Sequence, residues 1–191
     1  LGATERAGVR VTMRNASVGG LNSDDFQFVL KKQFSNIREE FRNSAQNAMS
    51  VIEKYDEKTD VVFIALGAND CAGSMPASKF ALNVCNIIDY FRDANKSVSV
   101  VLVSSMDISH KVKKSPEKGA DLNGYDIGKY AAELTALEKE YSNLVCADIF
   151  NFQKSLLKRK QWEDLIADNL NHPCDYMQRI YAQGIFASLF G

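Results

Sequence analysis

DVVFIALGAND, residues 60–70, decides how this chain folds. After Asp60 the run is continuously apolar and rich in β-branched residues, and it stops at Gly67. A half-exposed strand alternates polar and apolar positions, so a short uninterrupted run reads as a strand buried on both faces. Similar runs lie at 9–13 (VRVTM) and 98–103 (VSVVLV), with a weaker fourth at 144–149 (LVCADI).

Helical spacing fills the intervals. Phe26, Leu30, Phe34, Ile37, Phe41, Ala45, Met49 and Ile52 advance in steps of three and four and predict one helix face, with Asn22 and Ser23 as N-cap residues. The same period recurs at Phe80, Val84, Ile87, Ile88 and Phe91, at Ile127, Ala131, Leu134, Leu137 and Tyr141, and at Met177, Ile180, Tyr181 and Ile185. Buried strands alternating with amphipathic helices predict a three-layer, doubly wound α/β domain with a parallel, flavodoxin-like sheet spanning residues 1–191. Such sheets bind ligands beyond the C-terminal ends of their strands. Residues 15–23, 67–73 and 104 onward are therefore where chemistry is expected. The polar segment 106–123, long for a connection, reads as a lid or rim loop.

Composition narrows the function classes. At 191 residues and 46% apolar, the chain has the size and content of one domain with a substantial core. A formal net charge of −1 supplies no global field for a phosphate backbone, so nucleic acid is not an expected partner. The basic clusters Lys111/Lys113/Lys114/Lys118 and Lys154/Lys158/Arg159/Lys160 lack interleaved aromatics and read as solvated faces. No apolar run approaches the roughly twenty residues of a membrane span. A secretion signal, if there is one, lies upstream of residue 1, and the compartment stays open. Cys71, Cys85, Cys146 and Cys174 lack the C-x-x-C spacing of a zinc or redox site, and no metal or organic cofactor is implied.

Three short motifs stand where the sheet would place a site: Asn15-Ala-Ser-Val-Gly-Gly20, Gly67-Ala-Asn-Asp70 and Asp168-Asn-Leu-Asn-His-Pro173. In this order they resemble the second, third and fifth sequence blocks of the SGNH (GDSL-type) hydrolases, a resemblance that covers essentially the whole chain. It implies an ester hydrolase in which the Gly20 backbone N–H and the Asn69 amide stabilise an oxyanion, with Gly67 supporting the turn. It also implies His172 as general base, passing a proton from a serine to the leaving alcohol. A plainer reading makes His172 a helix-entry residue ahead of Pro173, and His110 is read as a surface residue. The common family spacing puts aspartate three before the histidine. Here that position is Asn169, so Asp168, one residue earlier, is the favoured orienting acid, with a backbone carbonyl or water as alternatives. Asp70 reads as a brace for its loop rather than a catalytic acid.

The family's first block, G-D-S-[LI], which carries the nucleophilic serine, does not occur in the chain. Residues 1–8 are too few for a strand, its turn and a covering helix, so the serine is expected upstream of residue 1, on a segment completing the sheet as a central strand. Ser17, Ser23, Ser104 and Ser105 match no family nucleophile, and Ser17 reads as a loop residue bonding its own backbone. Cys71 and Cys174 are expected near the site, as free thiols or as a disulfide, with a thiol nucleophile a remote alternative. The N-H-P motif and the polar rim suggest small O-acyl groups, acetyl above all, on a carbohydrate. The alternatives are a catalytically inactive module of this fold that binds a glycan or protein, and an unrelated flavodoxin-like phosphate binder.

Overall fold

The computed structural model describes residues 11–55, 57–107, 126–168 and 172–190. Three strands, β1 (Val61–Ile64), β2 (Ser99–Val103) and β3 (Leu144–Ala147), pair in parallel in the order β1-β2-β3. The registers set Val62 beside Val100 and Leu102 beside Cys146. All three strands arise from the apolar runs that follow Asp60, Ser97 and Asn143. Val100, Val101 and Leu102 of the middle strand are fully buried, as a strand covered on both faces requires.

Alternate residues of β2 face different layers. Val100 and Leu102 join a core built with Phe80, Val84, Ile87 and Ile88 of α4 (Ala77–Ala94) and Ile127 and Leu134 of α5 (Ile127–Leu137). Val101 and Val103 join a second core with Ile149 of α6 (Ile149–Leu156) and Met177 of α7 (Asp175–Phe190). Helices therefore cover both faces, which is the three-layer α/β architecture read from the sequence. Each fully buried aliphatic or aromatic side chain contributes roughly 1.5–3 kcal/mol of transfer free energy.

Two expectations need correction. The apolar series from Phe26 to Ile52 forms not one helix but two, α1 (Ser23–Leu30) and α2 (Glu39–Ile52), separated by a 3-10 turn at Phe34–Asn36. Lys32 takes a left-handed conformation (φ 57°), Gln33 N–H bonds to Phe28 O at 2.8 Å, and Lys32 N–H bonds to Val29 O at 3.0 Å. This is a Schellman ending built without its usual glycine. Ile37 keeps its place in the series because the extended chain there turns it into the core, where it is 1% exposed.

The second correction concerns the run at 9–13. Residues 11–13 form no strand, and Val11 and Met13 are 44% and 76% exposed. A strand persists only where a neighbour completes its ladder, and no described strand lies beside these residues or beside the outer edge of β1. The predicted rim loop, apart from Met106 and Asp107, lies outside the described residues, as does His110.

The start of α1 matters most for the site, because it holds the glycine motif. Asn22 caps it: its side-chain oxygen accepts the Asp25 N–H (2.9 Å), and Asp25 Oδ2 accepts the Asn22 N–H (3.2 Å). Asn22→Ala is expected to cost about 1 kcal/mol of stability, measured by urea unfolding.

Candidate active site

β1 ends in a turn only glycine enters easily. Gly67 has φ +119°, and a Cβ there would stand 3.4 Å from the Phe80 ring. The turn leads into the short helix α3 (Ala68–Ala72) and presents two side chains with different partners. Asn69 Nδ2 donates to Leu21 O at 2.9 Å, while Asp70 Oδ1 accepts the Ser23 N–H at 2.8 Å. These bonds clamp the end of the Asn15–Gly20 motif onto the turn after β1, across nearly fifty residues of chain. An amide nitrogen carries two hydrogens, so Asn69, an exposed residue, keeps one donor beyond its bond to Leu21. Asp70 is fully buried, and its Oδ2 has no hydrogen-bond partner.

Gly20 is held just as closely. Its φ is +87°, its carbonyl accepts from Arg38 Nη2 at 2.7 Å, and the Arg38 guanidinium lies 4.3 Å above the Phe41 ring. A Cβ at Gly20 would fall 2.6 Å from Phe41 Cζ. Gly20→Ala must therefore pay both the left-handed backbone and a displaced ring, at about 1–3 kcal/mol. The expected outcome is a lower melting temperature together with disturbed Asn69 and Leu21 amide resonances by NMR.

Nearby serines have structural partners. Ser23 is fully buried, and its Oγ accepts from Asn83 Nδ2 (2.9 Å), which also donates to Asp24 Oδ1 (2.9 Å). Ser17 N–H donates to Asn15 Oδ1 at 2.9 Å, an Asx-type turn. The Ser104 hydroxyl accepts the Phe150 N–H at 3.1 Å, tying the end of β2 to the first turn of α6.

The third motif stands on a hairpin. Ile166 bridges Pro173, Ala167 N–H bonds to His172 O (2.8 Å), and Cys174 N–H bonds to Leu165 O (3.0 Å). The base of this hairpin is anchored by Leu165 and Met177, both fully buried beside Val103 and Met106 at the end of β2. Its upper part brings Asp168 to His172: Asp168 Oδ2 contacts Nδ1, and Asp168 Oδ1 accepts the His172 N–H at 3.2 Å. The offset of four residues thus suits an aspartate that grips both the ring and the backbone of the histidine. Asp168 engages Nδ1, Nε2 is the other ring nitrogen, and the imidazole is largely exposed. Residues 169–171 lie outside the described residues.

Two bonds steady the neighbouring end of β2. Tyr181 Oη accepts the Met106 N–H (2.9 Å), and Gln153 Oε1 accepts the Asp107 N–H (2.6 Å). Burial pushes the Tyr181 hydroxyl up to about 12, so it remains a neutral phenol at ordinary pH.

The structure therefore joins Gly20, Gly67, Asn69 and Asp70 in one cluster and Asp168 with His172 in another. No hydrogen bond links the two clusters among the described residues. Sequence reasoning missed Arg38, which sits in the unforeseen break between α1 and α2 and carries no motif signal. No disulfide forms among the described residues: Cys71 is buried in the core on one face of the sheet, and Cys174 packs on the other with its Sγ toward Asp164 O (3.2 Å). The alternative of a disulfide between them is not adopted.

Comparison with curated proteins and with solved structures gives no match. The family model of the GDSL-like Lipase/Acylhydrolase family matches residues 3–180, a span that takes in all three motifs and the whole sheet. The chain belongs to the GDSL-like lipase/acylhydrolase family, and with it to the ester hydrolases in general.

Proposed function

We propose that this chain supplies the oxyanion donors and the acid–base pair of a Ser-His-Asp ester hydrolase that removes small O-acyl groups, acetyl above all, from a carbohydrate. The observation that carries this reading is the clamp between Asn69 and the Gly20 loop. It places a side-chain amide and a glycine backbone N–H on adjoining turns at the C-terminal end of a parallel sheet, where donors can converge on a developing oxyanion.

In this mechanism the serine Oγ attacks the acyl carbon while its proton passes to His172 Nε2, and Asp168 stabilises the imidazolium. The tetrahedral oxyanion collapses, the C–O bond to the sugar breaks, and His172 returns the proton to the departing hydroxyl. Water repeats the sequence on the acyl-enzyme and releases the carboxylic acid.

The serine itself is proposed to arrive on a segment outside residues 1–191 that adds to the free edge of β1. Two features favour that edge. No described strand pairs with it, and Phe63 is 54% exposed whereas its β2 partner, Val101, is fully buried. A strand added there in parallel would end beside Gly67–Asp70, bringing its following turn to the oxyanion donors.

The test is turnover of p-nitrophenyl acetate and of an acetylated oligosaccharide by the full-length gene product. Acetate release from both is the expected result. Binding of the oligosaccharide without turnover of either ester would replace the hydrolase with a non-catalytic glycan-binding module.

A further inference from the structure

The consecutive cations Lys158, Arg159 and Lys160, which the sequence presents as part of a solvated face, line an open cleft. With Ser155, Leu156 and Tyr176 they line a cleft of about 500 Å³ where the end of α6 meets the start of α7. All three are exposed, and none forms an ion pair among the described residues. The Lys160 ammonium is held 5.4 Å from the centre of the Tyr176 ring. Attraction to the helix end does not account for the group. The Leu156 carbonyl already accepts the N–H of Arg159 and of Lys160 (2.9 Å each), and the cation in the last turn of the helix is Lys154, which lies over Phe150 instead.

Three unpaired cations, a hydroxyl and an aromatic wall form a receptor for an anion, with the Arg159 fork matching a carboxylate, sulfate or phosphate. The cleft adjoins the catalytic hairpin. Cys174, bonded to Leu165, lies between Tyr176 and His172, and the four residue steps from His172 to Tyr176 span at most about 14 Å. That is the reach of an oligosaccharide whose acylated sugar sits at His172.

We propose that this cleft is a subsite for an anionic group on the alcohol portion of the ester, making the preferred substrate an O-acylated acidic carbohydrate. The proposal rests on the hydrolase reading of His172 and Asn69, and its test keeps the two apart. Full-length wild type and a Lys158→Ala/Arg159→Ala/Lys160→Ala variant are assayed on three substrates: p-nitrophenyl acetate, an acetylated neutral xylo-oligosaccharide and an acetylated oligogalacturonate. The expected result is a KM for the acidic substrate about tenfold higher in the variant, with kcat unchanged and both neutral substrates unaffected. Inhibition by sulfated and by phosphorylated oligosaccharides then distinguishes which anion is held best. Unchanged KM for the acidic substrate overturns the proposal, as does equal competition by a short DNA duplex, which would mark an unspecific cationic face. If no ester is hydrolysed, the catalytic reading fails. The cleft is then judged by calorimetric titration with a sulfated oligosaccharide, where weaker binding by the variant supports it and equal binding overturns it.

Discussion

Replacement of His172 by alanine is expected to lower ester turnover by the complete protein on the order of 10⁴-fold or more while leaving the fold intact. The size follows from the role. Without the imidazole nothing withdraws the serine proton during attack, and nothing reprotonates the alcohol as it leaves. The intact fold follows from the surroundings. The ring is largely exposed, its contact is with Asp168, and the hairpin is anchored below it by Leu165 and Met177. Kinetics and thermal unfolding of the same preparation separate the two effects. Wild-type turnover in this variant would remove His172 from the mechanism.

Asn69→Ala is expected to reduce kcat by on the order of 10² to 10³, with KM changed far less. In the proposed mechanism the second amide hydrogen of Asn69 would face charge that develops only in the transition state, so its loss is expected to appear in turnover rather than in binding. The substitution also removes the bond to Leu21 O that holds the Gly20 loop, so both proposed oxyanion donors are expected to suffer from one change. A variant that raises KM and spares kcat would assign Asn69 to substrate binding instead.

Much of the fold was legible because it depends on local patterns. The runs before Gly67 and Ser104 read as buried strands, the run before Asp148 does so more weakly, and the helices at Ala77–Ala94 and Asp175–Phe190 follow their apolar spacing. Two failures have different causes. The run at 9–13 has the composition of a strand, but strand formation depends on a neighbour that no local pattern reports. The break at Lys32 was invisible because a lysine occupies the position where glycine usually announces a helix end.

The site was legible as a set of residue types but not as a set of contacts. Gly20, Asn69, Asp168 and His172 are recognisable by motif. That Asn69 reaches Leu21, that Asp70 reaches Ser23 and that Arg38 takes the Gly20 carbonyl are facts of tertiary packing. The displaced aspartate is the instructive case. Spacing alone did not show which group meets the imidazole, whereas the hairpin at Ile166 and Pro173 brings the Asp168 carboxylate back to Nδ1; its catalytic role is part of the proposal.

The most direct measurement is covalent labelling of the full-length protein with a fluorophosphonate, followed by peptide mapping in the wild type and the His172→Ala variant. One adduct is expected, on a serine outside residues 1–191, together with its loss in the variant. An adduct on Ser17, Ser23 or Ser104, or labelling that persists without His172, would contradict it.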